Sequence, residues 1–160
     1  MNNAVKLGIC DVSLPAEGAD KIRMCRNLGF SGIVVDFGNP DAPGSLADDA
    51  VLQAYKAQSQ KHNVAMETMT VNVLCTVGMS HAGNYDAITK ILDSAVIAAQ
   101  KLGIKIISLP SFGNGAVKSD AHRLSTAKCL KYLCRKTSAL SIITASENVL
   151  SVADNIKLIS

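Results

Sequence analysis

Strand-like runs and helix-period segments alternate five times along this 160-residue chain, and few architectures accommodate that order. Residues 5–12 read as a first strand. Pro15 turns the chain, and residues 16–28 follow with Ile22, Cys25 and Leu28 at helical spacing before Gly29 stops the helix. Residues 31–37 form a second strand, closed by the Gly/Pro-rich loop 38–44, and residues 46–61 form a helix ended by Asn63. A third strand, 64–71, leads into an unusually long connection, 72–84. Residues 85–102 then place Ile88, Ile91, Leu92, Ala95, Val96 and Ala99 on one helical face, with Gly103 as the stop. The fourth unit pairs strand 104–109 and the Gly-rich loop 110–115 with helix 119–136. The fifth strand, 141–146, ends on Glu147-Asn148, and a last helix starts at Val152 behind the cap Ser151.

The strands are mostly continuous apolar runs, as expected of parallel strands covered on both faces. Parallel strands joined by helices cross over right-handedly, so the sheet either winds both ways into an open layer or curls towards a barrel. Two helix ends, Leu28-Gly29-Phe30 and Leu102-Gly103-Ile104, enter their strands through the same Leu-Gly-apolar step. Such repetition favours the uniform unit of a barrel, although a closed (β/α)₈ barrel takes about 250 residues. Residues 1–160 are therefore expected to form one domain, a partial barrel incomplete at its C-terminus.

With 48% hydrophobic and 18% charged residues, the chain has the composition of a folded domain and not of a disordered one. The net charge is +3, but the basic residues are scattered, and three Tyr, three Phe and no Trp offer little for base stacking, so no nucleic-acid partner is expected. Five cysteines without a C-x-x-C pair read as reduced thiols of a cytoplasmic protein. No apolar stretch approaches the roughly 20 residues of a membrane span, and no membrane partner is expected.

Four segments together resemble the sugar phosphate isomerase/epimerase superfamily of xylose-isomerase-like TIM barrels. They are Lys6-Leu7-Gly8-Ile9-Cys10, the run from Asn27 to Asp36, the run from Lys101 to Ile107, and Ile143-Thr144-Ala145-Ser146-Glu147-Asn148. The resemblance implies an α/β fold, a (β/α)₈ TIM barrel of xylose-isomerase-like type, of which this chain covers about the first five βα units. It also implies divalent-metal-assisted proton transfer next to a carbonyl, acting on a small carbohydrate or sugar phosphate. In most members a glutamate at the end of the fifth strand binds a divalent ion (Mn, Mg, Zn or Co) and acts as acid or base. Glu147 matches that position. The other usual ligands come from the sixth to eighth strands, so the full metal site is expected only where those ligands are supplied.

Further candidates come from their places in the pattern. Asp36 ends the second strand, where it either contacts substrate or caps the following loop. Glu67 lies within the third strand and points into the barrel if Met66 and Thr68 face the helices; it is then a site residue or a satisfied structural carboxylate. His81 lies in the long connection, read as a mobile lid over the strand ends, where it either binds substrate or is simply solvated. Ser111 opens the Gly-rich loop, whose N–H groups either meet a phosphate or sugar oxygen or form an ordinary turn. Cys10, at the first strand end, is expected to line the pocket. A reading of another class remains open: a non-catalytic half-barrel module that binds a small ligand or self-associates through an exposed sheet edge. A third, a doubly wound domain, would bind phosphate at the loop after Leu109.

Overall fold

A computed structural model describes residues 6–160. Five strands, β1 (Gly8–Cys10), β2 (Gly32–Asp36), β3 (Ala65–Thr70), β4 (Ile106–Pro110) and β5 (Ile143–Glu147), form one sheet. Every pairing is parallel and the spatial order is β1-β2-β3-β4-β5. A doubly wound sheet would reverse direction partway, so this sequential order is that of a barrel wall and removes the doubly wound reading. The first residues assigned to the opening strand, including Val5, lie outside the described residues.

Helices α1 (Asp20–Asn27), α2 (Asp49–His62), α4 (Tyr85–Leu102), α5 (Asp120–Thr137) and α6 (Val152–Ile159) follow the strands in turn; a short α3 (Leu74–Val77) interrupts the connection after β3. The start of α1 falls later than residue 16 because Gly18 takes φ +50°, outside right-handed helix space. Likewise α2 begins after Asp48, whose carboxylate accepts from the Ala50 and Val51 amides at 2.7 and 3.3 Å. Leu46 belongs to the preceding loop, where its amide donates to the Phe37 carbonyl at 2.9 Å. At the other end of α2, Asn63 adopts φ 51° and closes the helix as its composition predicts.

Burial alternates along the strands. Ile33, Val35 and Phe37 of the β2 region, Met69 and Val71 around β3, and Ile107 and Leu109 of β4 are buried. They pack in the same core as Ile22, Leu52, Ile88, Leu92, Leu130 and Leu133 of the helices. The opposite, inner face is not covered as the apolar runs led one to expect: Ile143 of β5 is 62% exposed. Registers place Val34, Thr68, Ile106 and Ile143 in one row of that face, and Asp36, Thr70, Ser108 and Ala145 in the next. Among the described residues no helix is long and apolar enough to cross a membrane.

The wall rests on α4. Leu92 is fully buried on that helix, whereas Ile97 on the same helix is 54% exposed. Leu92→Ala is expected to cost about 2–5 kcal/mol in denaturant unfolding, and Ile97→Ala to stay within about 0.5 kcal/mol.

Candidate active site

β5 carries Glu147 at its C-terminal end, paired with Pro110, so its exposed side chain belongs to the inner face with Ser108 and Ala145. The next residue fixes this tip. The Asn148 side-chain amide donates to Asn155 Oδ1 at 2.9 Å, its Oδ1 accepts from the Leu150 amide at 2.9 Å, and Asn155 in turn donates to the Leu150 carbonyl at 3.2 Å. The Glu-Asn pair thus divides its work: Glu147 faces the mouth while Asn148 ties the strand end to α6. Across the mouth, the Ser111 amide donates to the Glu147 carbonyl at 2.8 Å. Ser111 itself is 1% exposed and its Oγ has no partner.

Asp36 stands at the tip of β2, and its surroundings favour a fixed carboxylate over a loop cap. Its Oδ1 accepts from the Asn72 amide at 3.2 Å, while Thr70 Oγ1 donates to Asn72 Oδ1 at 3.3 Å. The amide of Asp36 donates to Oδ2 of Asp11 at 3.1 Å. Asp11 directly follows β1 and is 1% exposed, with Lys21 Nζ 3.8 Å from Oδ2. Burial raises the Asp11 carboxyl above its ordinary value, opposed by the Asp36 amide and by Lys21. Beneath, the Tyr55 hydroxyl is pushed up to about 12, first by burial and then by the charges of Asp11 and Asp36. Cys10 is exposed and shares the inner face with Val34.

Two expectations are corrected. Thr68 does not face the helices beside Met66, because β3 contains a bulge: Ala65 pairs with Gly32, but Thr68 pairs with Val34, so β3 spends one extra residue. Glu67 and Thr68 consequently both line a cleft of about 610 Å³ with Lys6, Arg26 and Asn63, at the N-terminal ends of the strands and away from Asp36 and Glu147. Nor is the connection after β3 a loose lid. Met79 and Ser80 are buried, Ser80 Oγ donates to the Asn114 carbonyl at 3.1 Å, and the Asn114 side chain donates to the Thr76 carbonyl at 3.2 Å. Only glycine allows this fit at position 115, where a Cβ would stand 2.9 Å from the Leu74 carbonyl oxygen. His81 is exposed on the outside of this packed unit, edge-to-face with His122 at 5.3 Å between ring centroids.

The structure therefore brings Asp36, Ser111 and Glu147 to the C-terminal ends of the strands, and leaves Glu67 at the other end and His81 on the flank. Asp11, Thr70, Asn72 and Ser108 join the mouth without having been singled out in the sequence. Asp11 offered one signal, an acid directly behind a strand end. Among the described residues no three of His, Cys, Asp and Glu stand close enough to hold a metal ion. Glu147 alone does not fit a divalent ion.

No family model matches the chain. A 2-epi-5-epi-valiolone 7-phosphate 2-epimerase from an Actinoplanes species is 27% identical over 92% of this chain, which spans 54% of that relative. Among solved structures, an L-ribulose 3-epimerase aligns over 98% of this chain and 56% of its own, with a TM-score of 0.72 and 15% identity. A xylose isomerase-like TIM barrel protein from Mycobacterium smegmatis, solved with magnesium, aligns over 88% of this chain and 51% of its own, with a TM-score of 0.69 and 16% identity.

Asp11 gives the mouth a testable pH dependence. Its folded-state value lies above the ordinary 3.8, so the protonated acid favours the fold, and that contribution is lost as pH rises from about 3.8 through the raised value. Asp11→Asn lacks this loss. Its stability relative to the unsubstituted protein is expected to improve across that window and to level off above it in denaturant melts at stepped pH.

The sequential parallel wall, the strand-tip glutamate and these likenesses place the chain in the sugar phosphate isomerase/epimerase superfamily of xylose-isomerase-like TIM barrels, of which it carries five consecutive βα units.

Proposed function

We propose that this chain supplies the Glu147 side of a site that isomerises or epimerises a small sugar or sugar phosphate. The observation that carries the reading is the exposed Glu147 carboxylate, held by the Asn148–Asn155 clamp at the end of a strand whose inner face also bears Ser108 and Asp36 in the adjacent row. Glu147 acts as the base: it takes the proton from a carbon next to the substrate carbonyl, and the bonding pair moves to the carbonyl oxygen to give an enediolate. Return of a proton to the opposite face of that carbon gives an epimer, and return to the neighbouring carbon gives an isomer. Asp36, held by the Asn72 amide, accepts hydrogen bonds from sugar hydroxyls, and Ser111 contributes its free hydroxyl. A divalent ion at Glu147 would polarise the carbonyl, but it needs donors beyond those described here, and no step is drawn through it.

In the full natural polypeptide, exchange of solvent deuterium into ketoses or ketose phosphates, read by proton NMR, is expected to fall about 100-fold or more in Glu147→Gln. Undiminished exchange in that variant removes Glu147 from the chemistry.

One observation favours the second reading, a self-associating module. Ile143, Val149, Val152, Ile156 and Ile159 are all exposed along β5 and α6, beside a strand edge with no neighbour among the described residues. On that reading light scattering of the 160-residue chain shows a concentration-dependent oligomer that Ile156→Lys weakens. A monomer at all concentrations rejects it.

A further inference from the structure

Asp11 is a buried acid that the proposed chemistry leaves unused. Its Oδ2 accepts from the Asp36 amide at 3.1 Å, and its Oδ1 is buried with no partner. The charged and titratable groups around it are Lys21 from α1, Asp36 from β2 and Tyr55 from α2. An unpartnered buried carboxylate oxygen is costly, and an apolar residue would fill the space without that penalty. What an apolar residue could not do is hold the end of β2. The hold extends further: Asp36 Oδ1 accepts from the Asn72 amide, and Asn72 Oδ1 accepts from Thr70 Oγ1. One line of hydrogen bonds therefore strings together the tips of β1, β2 and β3, and Asp11 is its anchored end.

We propose that Asp11 is a positioning residue of the mouth: its carboxylate grips the Asp36 amide and, through the Asp36 side chain, the Asn72 amide, so that Asp36 is aimed at a ligand only while Asp11 is charged. The inference rests on the reading of Asp36 as a substrate contact. An ionised acceptor holds an N–H more strongly than a neutral acid does, so protonation of Asp11 slackens the line from its buried end. Lys21 is near enough to favour the charged form, at 3.8 Å, and Tyr55 closes the cluster from beneath.

Amide NMR tests this without any ligand. In the unsubstituted protein the Asp36 amide proton is expected to shift with pH as Asp11 ionises, and Asp11→Asn is expected to abolish that titration. In Asp11→Ala the Asp36 and Asn72 amides are expected to exchange about tenfold faster or more, relative to Ile107 and Leu109 of the central sheet. Asp11→Asn, which keeps an acceptor oxygen, is expected to restore much of the protection. An Asp36 amide that titrates unchanged in Asp11→Asn overturns the proposal, as does equal Asn72 protection in Asp11→Ala and the unsubstituted protein. If Asp11→Ala does not fold, the Asp11→Asn titration decides alone. Failure of the underlying reading shows elsewhere: Asp36→Asn keeps the acceptor for Asn72, so sugar-dependent deuterium exchange undisturbed in that variant dismisses Asp36 as a contact while leaving the line of bonds intact.

Discussion

Consecutive parallel pairing is the constraint on which everything else in this molecule depends. Each strand needs a right-handed crossover to reach the next, and each crossover sets a helix on the same side of the sheet. The outer face of β2, β3 and β4 is thereby buried against α2, α4 and α5, where Val35, Met69 and Ile107 meet Leu52, Leu92 and Leu133. The inner face is left to side chains alone. Functional groups at the strand ends are consequently rigid on one side and open on the other, which is the arrangement a binding site needs.

The mouth is stiffened by polar bonds that run across the strands. Asp11 reaches β2, Asp36 reaches the residue behind β3, and the Ser111 amide reaches the end of β5. Each ties a tip to a neighbour where the ladder itself has run out. The packed connection of α3 against the turn at residues 113–115 does the same for β3 and β4, through Ser80, Asn114 and the bare backbone at Gly115. A site built in this way keeps its geometry through hydrogen bonds that are individually modest and mutually dependent.

Much of this was legible in the residues. The helix 85–102 follows from its apolar face and its glycine stop, and Glu147 lies at a strand tip as its place after an apolar run implies. Boundaries were less legible where a side chain decides them: Leu46 carries the right hydrophobic phase for α2, but the Asp48 carboxylate captures the first amides and starts the helix after itself. Alternation also misleads at Glu67, since a period of two assumes an unbroken ladder and a bulge leaves no mark on apolar spacing. His81 could not be placed because its partner, His122, is distant in sequence and no local pattern joins them. Asp11 shows the same limit, for its burial depends on Lys21, Asp36 and Tyr55 arriving from three separate elements.

The bulge in β3 carries a consequence for how such a barrel tolerates change in length. Below it, Met66 is buried; above it, Met69 is buried and Thr70 pairs with Asp36 and Ser108. The extra residue is what brings both halves of the strand into phase with a core on one side. Loss of a single residue there would turn the upper half inside out, driving Thr68 and Thr70 among the helices and pushing Met69 into the opening. The irregularity is a phase-setting spacer, and insertion or deletion within residues 65–68 is a harsher event than most point substitutions along the same strand.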